Sequence, residues 1–415
     1  MNERMNRKKF NIGTYILQQY AQTEEHIKAL ADCGIDFVTC MDNEKNVLDL
    51  FSKYGIGAVV NDVLPSWWGG NGEKSGTMNK CNPISEYEKA AAAFVDHPAI
   101  WGIDAGDEPS AMDFDHYGKI ISRTEKLFPH QFIYLNLYPN YASVAKNTMS
   151  ETECQLGTKT YAEHIESYIR RVPTDYICYD HYVYSTRSAP LMYENFRIVS
   201  DACRESGRSF WYVPQVNSNR PEEWISTDRL RYQAYTAMAF GAENIIWACW
   251  TAGWWTNQVV DENGNQTQQY DKLKTVNFEI KAFADEYMKY RNVSTDLIGI
   301  MSDSSTADIA GKPAERSIDA GAFMNICADD GCNIAAGHMV SRSVSSSEAI
   351  MLCDAGDPYC EKNTAYNIYF TLHCSREPAV WINGVKTAPK LVSSDGDMIK
   401  YSVGGGTGRG IFVTI

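Results

Sequence analysis

The chain has 415 residues, a length that predicts two domains, and its 44% hydrophobic and 22% charged residues are typical of a soluble globular protein. Its formal net charge of −14 disfavours nucleic acids and anionic membranes as partners, because an acidic surface repels phosphate groups. The sequence has no long apolar run and no apolar segment near its N-terminus. We therefore expect a cytoplasmic protein, or a secreted one whose signal peptide has been removed.

Short apolar runs alternate with amphipathic helical stretches over roughly the first 290 residues, which is the pattern of βα units around a parallel sheet. The predicted strands are Asn11–Leu17, Ile35–Met41, Gly57–Asp62, Ile100–Asp104, Phe132–Leu137, Tyr176–Tyr182, Phe210–Gln215 and Asn244–Trp250. Eight such units predict an α/β fold with a (β/α)8 TIM barrel. An open doubly wound sheet is disfavoured, because no glycine-rich phosphate loop follows the first strand.

The composition changes after about Val293, where glycine, serine and aspartate become frequent. Short alternating strands are predicted at Ala349–Cys353, Ala365–Leu372, Ala379–Ile382, Met398–Val403 and Gly410–Ile415. Asn383-Gly384 predicts a hairpin turn, and Ser394-Asp395-Gly396 predicts another turn. We therefore divide the chain into a barrel domain, residues 1–293, and a smaller C-terminal β-sandwich, residues 294–415.

The cysteine pattern favours reduced thiols in the barrel and predicts no metal site. Seven of the 12 cysteines are spread singly over the first 250 residues, as buried thiols usually are. The other five, in the C-terminal part, allow one or two disulfides there, although their odd number prevents complete pairing: Cys327, Cys332, Cys353, Cys360 and Cys374. No C-x-x-C pair and no His-Glu-x-x-His occurs, so we predict no metal and no cofactor.

A barrel of this type carries its active site at the C-terminal ends of its strands. The sharpest local signal there is Trp101-Gly-Ile-Asp-Ala-Gly-Asp107-Glu108-Pro109, in which a strand runs through a glycine into two acids and a proline. One interpretation is that Asp107 or Glu108 caps a helix beginning at Pro109. The other is that Glu108 is a general acid/base, a role that needs a raised pKa.

Four motifs resemble those of known barrel enzymes. Asp107-Glu108-Pro109 resembles the Asn-Glu-Pro of clan A glycoside hydrolases, in which the glutamate is the acid/base. Tyr179-Asp180-His181-Tyr182 and Phe210–Gln215 resemble the sixth and seventh strands of uncharacterised β-galactosidase-like barrel proteins, and Tyr235–Trp250 resembles the eighth-strand region of family 42 β-galactosidases. The resemblance covers about residues 10–290. It implies a glycoside hydrolase that cleaves O-glycosidic bonds of an oligo- or polysaccharide, with a β-linked galactoside as the default substrate.

The sequence departs from clan A at the end of the seventh strand, where those enzymes place a nucleophilic glutamate and this chain has Gln215. A neutral amide cannot serve as that nucleophile, so a second carboxylate must come from elsewhere. Asp180 is the first choice, although an acid bonded to a neighbouring loop would look the same in sequence. Other candidates are Glu222 and Glu223, and weaker ones are Asp62 and Asp42.

A wider set of residues near the strand ends is expected to bind substrate: Asp62, Trp67, Trp68, Asp107, Asn136, Tyr138, His181, Tyr182, Gln215, Trp250 and Trp254. Adjacent tryptophans on a glycine-rich loop favour a sugar platform, the alternative being an apolar plug that holds the loop. Two other functions stay open. Gln215 is compatible with a catalytically silent carbohydrate-binding barrel, and a metal-dependent barrel hydrolase is the third option. The sequence does not indicate an oligomeric state.

Overall fold

The computed structural model describes residues 4–61, 68, 72, 74–143, 154–251, 255–299, 316–344, 346–359 and 364–415. Its first part contains eight parallel strands, arranged in the order β5-β4-β3-β2-β1-β8-β7-β6. The strands are β1 Asn11–Tyr15, β2 Phe37–Met41, β3 Gly57–Val60, β4 Ile100–Asp107, β5 Phe132–Asn136, β6 Tyr176–Asp180, β7 Ser209–Val213 and β8 Ala242–Trp247. The predicted TIM barrel is confirmed, and each predicted strand overlaps an observed one.

The barrel closes between β5 and β6, where the pairing of the two strands is sparse. Leu137 N–H donates to the carbonyl of Cys178 at 2.9 Å. Farther down, the Tyr176 hydroxyl accepts from Leu135 N–H at 2.9 Å and donates to the Ile133 carbonyl at 2.6 Å. A side chain thus replaces part of the backbone ladder at this seam.

Helices alternate with the strands as the sequence predicts. They are α1 Glu24–Asp32, α2 Lys45–Tyr54, α3 Met78–Cys81, α4 Ile84–Ala93, α5 Phe114–Leu127, α6 Tyr161–Arg171, α7 Val183–Thr186, α8 Ala189–Ser206, α9 Thr227–Ala239 and α10 Gln268–Tyr287. Their ends follow local chemistry: Thr23 accepts a hydrogen bond from His26 N–H at the start of α1, and Gly55 ends α2 in the left-handed conformation. Among the described residues, no helix is both long and apolar enough to cross a membrane.

The barrel interior is filled by large side chains from alternate strand positions. Phe132 packs edge-on against Trp211, and Trp211 stacks on Tyr176 with ring centroids 4.2 Å apart. At the N-terminal end of the strands, Met5 is buried in the same cluster. This packing leaves the polar ends of the strands at the opposite, C-terminal mouth.

The C-terminal part is a sandwich of two antiparallel sheets, in the orders β10-β11-β14-β18-β17 and β16-β15-β19-β13-β12-β9. The strands are β9 Tyr290–Ile298, β10 Ile318–Ala320, β11 Phe323–Ala328, β12 Ile334–Ser341, β13 Glu348–Asp354, β14 Ala365–His373, β15 Ala379–Ile382, β16 Val385–Thr387, β17 Lys390–Asp395, β18 Met398–Gly406 and β19 Gly410–Thr414. The predicted β-sandwich is confirmed, with more strands than the sequence suggested. β9 runs across residue 293 and pairs with β12.

The second of these sheets packs on the barrel helices. Phe412 of β19 stacks on Phe283 of α10 at 5.5 Å and also contacts Tyr287. The predicted hairpin turn joins β15 to β16, with positive φ angles of 45° at Asn383 and 77° at Gly384. The cysteines in the described part of the chain, which excludes Cys360, are all free thiols, so none of them forms the disulfides considered above.

Candidate active site

Glu108 follows directly on the last residue of β4, at the C-terminal mouth of the barrel. The pairing of β4 with β5 shifts register between Asp104 and Asp107, and Glu108 N–H then donates to the Asn136 carbonyl at 2.9 Å. Glu108 has a φ of 45°, a left-handed conformation that is costly for a residue with a Cβ atom. Backbone strain of this kind is concentrated at functional sites.

The helix-capping interpretation of the two acids is wrong. Ser110, not Asp107 or Glu108, accepts a hydrogen bond from Met112 N–H, and it caps a short 3-10 turn that precedes α5. Both acids are therefore free of a capping role and turn toward the mouth of the barrel.

Three carboxyl groups from two strand ends meet at this mouth. The Asn136 amide donates to Asp107 Oδ1 at 3.1 Å and to Asp180 Oδ1 at 2.8 Å, which holds the two acids on either side of one side chain. Tyr182 donates a further hydrogen bond to Asp180. The carboxyl groups of Glu108 and Asp180 are hydrogen-bonded to each other.

These surroundings give the carboxyl groups unusual acidity. Burial raises the pKa of Glu108 far above its usual value, and the negative charges of Asp180 and Asp107 raise it further. Burial and the negative charge of Asp107 raise the pKa of Asp180 to about 7, although the hydrogen bonds from Asn136 and Tyr182 oppose that rise. Asp107 lies in the same recess, and its pKa is raised too although solvent reaches its side chain. Glu108 therefore holds its proton more tightly than Asp180, and Asp180 is the first of the two to ionise as the pH rises.

Aromatic side chains surround the acid pair. The indole N–H of Trp68 donates to Glu108 Oε2 at 3.1 Å, while 48% of the Trp68 side chain stays exposed. Tyr182 contacts Trp255 edge-on at 4.3 Å. Tyr141, which is 38% exposed, lies close enough to Asp180 and Glu108 for their charges to raise its pKa. Exposed ring faces next to a proton donor suit the C–H faces of a sugar.

A second layer of titratable groups lies beneath the site. Asp104 accepts from Gly106 N–H at 2.9 Å and from the Cys40 thiol at 3.9 Å. Burial, with a contribution from the charge of Asp107, raises the pKa of Asp104 to about 7. Below it, Tyr15 and Tyr134 are joined by a hydrogen bond between their hydroxyls.

Several residues expected to bind substrate have no accessible surface for it. Gln215 is fully buried, and its amide accepts from Tyr184 N–H at 2.8 Å and donates to the Asn217 carbonyl at 2.9 Å. Trp250 is fully buried and contacts Tyr270 of α10. In these positions both are structural residues, because a side chain without exposed surface cannot contact a bound sugar.

His181 lies behind the site, whereas Tyr138 lies near its acids and is about as buried as Asp180, which is 3% exposed. His181 is fully buried, bonds Asn195 Oδ1 through Nδ1 at 3.2 Å, and has its pKa lowered to about 4 by burial. Tyr138 is 2% exposed, and burial, with the charges of Glu108 and Asp107, raises its pKa. Asn136 is also buried, and its role is the bridge between Asp107 and Asp180.

The alternative acids do not join the cluster. Glu223 forms ion pairs with Arg187, Arg220 and Arg229, and Glu222 is exposed on the same loop. Asp42 is likewise exposed. Asp62, Trp67 and Trp254 lie outside the described residues.

The residues missed from sequence are Asp104, Cys40 and Tyr141. Tyr141 sits on the loop after β5, where position alone was a usable signal. Asp104 and Cys40 gave no signal, because only the barrel register brings them together. Over the described part of the chain, no group of three or more His, Cys, Asp or Glu side chains is arranged to hold a metal ion.

No protein-family model matches the sequence, and no curated protein matches it. Similar solved structures include the GH51 arabinofuranosidase from Xanthomonas axonopodis pv. citri, at 7% identity and a TM-score of 0.45, covering 98% of this chain and 96% of that one. A GH10 endoxylanase from a sugarcane soil metagenome has 13% identity, a TM-score of 0.42, and coverage of 67% and 100%. The endo-1,4-beta-mannanase of Rhizomucor miehei has 8% identity, a TM-score of 0.40, and coverage of 59% and 87%. Similarities at this level leave the function to be argued from the site.

Proposed function

We propose that this protein is a glycoside hydrolase that cleaves O-glycosidic bonds, with Glu108 as the general acid and Asp180 as its ionised partner. The observation that carries the proposal is the hydrogen-bonded pair of Glu108 and Asp180 at the strand ends of a TIM barrel, where Glu108 has a raised pKa. A pair of carboxyl groups with different acidities is the basic requirement of most glycosidases.

The chemistry follows from the difference between the two acids. A glycosidic oxygen that enters the site takes the place of Asp180 as the hydrogen-bond partner of Glu108. Glu108 gives its proton to that oxygen as the bond to the anomeric carbon breaks, and the leaving group departs as an alcohol. The carboxylate of Asp180 then faces the positive charge that develops at the anomeric carbon. Water supplies the new hydroxyl group, and its proton restores the resting acid.

The charges around the site favour a neutral or cationic sugar. Burial and the neighbouring acids are the main influences that raise the pKa values of Glu108, Asp107 and Asp180, and no arginine or lysine is among the leading ones. A uronic acid would add a negative charge to this cluster without a compensating cation. We therefore propose a neutral hexose or pentose unit at the point of cleavage, with the exposed face of Trp68 as its platform.

The experiment is a hydrolysis screen of neutral oligosaccharides and 4-nitrophenyl glycosides with the wild type, Glu108→Gln and Asp180→Asn. We expect cleavage by the wild type and, on the oligosaccharides, at least a hundredfold loss of kcat/KM in both variants, with glycan binding retained in calorimetry. Glu25→Gln, an exposed acid on α1, is the matched control and should keep full activity. Full activity of Glu108→Gln would overturn the proposal.

A silent carbohydrate-binding barrel is the second candidate, and one observation favours it. The position of the clan A nucleophile is taken by Gln215, whose amide is committed to Tyr184, Ser185 and Asn217. Glycan binding by the wild type without any cleavage in the same screen would support this candidate and contradict the hydrolase.

A further inference from the structure

A large cavity lies at the other end of the barrel. It has a volume of about 830 Å³ and is bordered by the N-terminal segment, the end of α8, the start of β7 and β8, and residues of the C-terminal domain. Its lining residues Ser209 and Phe210 begin β7, whereas the acid pair lies beyond the opposite strand ends. A strand of five residues spans about 17 Å, so this basal cleft is separate from the candidate active site.

The basal cleft is positively charged on a protein whose net charge is −14. Two acidic residues line it, Asp175 and Glu243. Six cationic residues line it as well: Arg7, Lys8, Arg204, Arg208, Arg291 and Arg342. Asp175 pairs with Arg7, Glu243 with Arg342, and Asp201 nearby with Arg204. Lys8, Arg208 and Arg291 have no acidic partner within the described ranges, so the cleft keeps an excess of positive charge.

Several of these guanidinium groups are held in place before any ligand arrives. Arg208 donates to the carbonyls of Ile169 at 2.8 Å and Val172 at 3.0 Å. Arg204 donates to Asn292 Oδ1 at 2.6 Å, which joins the barrel to the C-terminal domain. Fixed, planar donor groups that converge on one space are the means by which proteins recognise oxyanions.

We propose that the basal cleft binds a small multivalent oxyanion, a molecule that carries two or more phosphate or sulfate groups. The cations come from several elements around one space, so a single charged group cannot reach them all. The volume is that of a small-molecule site, and the acidic outer surface repels long polyanions such as nucleic acids.

The ligand would join three parts of the protein. Arg7 and Lys8 belong to the N-terminal segment, Arg204 and Arg208 flank the end of α8, and Arg291 belongs to β9 of the C-terminal domain. A ligand that binds only the folded state stabilises it by an amount that grows with the logarithm of ligand concentration above Kd, and the unfolding temperature rises accordingly. The proposal does not depend on the activity of the opposite mouth.

Calorimetry with inorganic pyrophosphate and with a sulfated disaccharide, each at the same low ionic strength, tests the proposal. We expect saturable binding with one site per chain for at least one probe, and the stronger probe identifies the phosphate or the sulfate class. The double variant Lys8→Ala/Arg291→Ala should bind at least tenfold more weakly. Both side chains are exposed, so their removal should leave the fold intact.

Two controls make the result decisive. Lys126→Ala removes an exposed cation from the end of α5 and should leave binding unchanged. Glu108→Gln should also bind like the wild type, since Glu108 lies at the other end of the barrel. Absence of saturable binding for both probes, or equal affinity in the double variant, would overturn the proposal.

Discussion

Glu108 combines two features that a protein does not maintain without a use for them. Its φ of 45° is costly for a residue with a side chain, by about 1–3 kcal/mol, and its carboxyl group is surrounded by other acids. A glycine at this position would relieve the backbone strain, and an amide side chain would relieve the repulsion between the carboxyl groups. Their coexistence at a strand end therefore supports a functional role, since stability is commonly given up at active sites.

The hydrogen bond from Trp68 to Glu108 lowers the pKa of that carboxyl, and in the proposed mechanism this pKa limits activity at alkaline pH. Trp68→Phe keeps an aromatic ring but removes the donor, which raises the pKa of Glu108. Because Glu108 must be protonated to act, the alkaline limb of the kcat/KM profile should move to higher pH. A profile that stays in place, or moves to lower pH, would show that this bond does not act on the general acid.

Asp104 should cost the protein stability at neutral and alkaline pH. Its pKa is about 7 in the folded state and 3.8 without perturbation, so as pH rises from about 4 to 7 the unfolded chain ionises first and stability is lost. Asp104→Asn removes that loss and can still accept from Gly106 N–H. At pH 8 the free energy of unfolding of the variant should exceed that of the wild type by up to about 4 kcal/mol.

Urea unfolding at pH 5 and pH 8 measures this difference. The difference in free energy of unfolding between the variant and the wild type should be smaller at pH 5. At that pH less free energy is gained by ionising Asp104 in the unfolded chain. A variant that is less stable than the wild type at pH 8 would mean that the ionised form of Asp104 is the one the fold prefers.

At the residue scale, the sequence indicated the acids and the side chains that bond to them, Trp68, Asn136 and Tyr182. It did not indicate Tyr141 or the layer beneath, Asp104 and Cys40. Glu108 and Asp180 could be found because each directly ends or follows an apolar strand, and strand ends of a barrel converge. Gln215 and Trp250 were expected at the same mouth for the same reason. Successive side chains of a strand point to opposite faces of the sheet. A strand end predicted only to within two residues therefore does not show whether a given side chain points into the mouth or away from it.

At the scale of elements, the seam between β5 and β6 is the point where the barrel depends on a side chain. Tyr176→Phe keeps the stacking on Trp211 but removes the hydroxyl that bonds Leu135 N–H and the Ile133 carbonyl. Two buried backbone groups then lose their partner, which should lower the free energy of unfolding by about 2–4 kcal/mol.

The measurement is urea unfolding beside Tyr401→Phe, a partly exposed tyrosine of β18. The control should change stability by less than about 0.5 kcal/mol. Equal effects of the two variants would mean that the seam does not depend on the Tyr176 hydroxyl.

The strands of the barrel were predictable because they are buried on both sides and read as continuous apolar runs between helices. The strands of the C-terminal domain were harder to predict from the sequence. β16 and β17 are exposed along their whole length and carry no apolar alternation, so only the Asn383-Gly384 turn indicated that a strand follows β15.

At the scale of the whole molecule, the two parts meet through close backbone contact. Gly337 of β12 lies against the end of α9, where an added Cβ atom would stand 1.9 Å from the Ala239 carbonyl oxygen. The same oxygen accepts hydrogen bonds from Asn292 at 3.0 Å and Thr295 at 2.9 Å. This contact fixes the sandwich to the helix that follows β7.

Gly337→Ala should force the sheet and α9 apart and lower the free energy of unfolding by about 1–3 kcal/mol. Gly356→Ala is the matched control, because its added atom would meet Asp354 at an ordinary 3.4 Å. Thermal unfolding of the two variants gives the comparison. A Gly337 variant as stable as its control would contradict a rigid junction.

The most direct test of the central claim is the dependence of Glu108→Gln activity on the leaving group. A general acid is needed only when the departing oxygen must be protonated. We predict that kcat/KM of the variant falls at least a hundredfold for an oligosaccharide or alkyl glycoside, but less than tenfold for a 2,4-dinitrophenyl glycoside of the same sugar. Equal losses on both substrates would contradict the assignment of Glu108 as the proton donor.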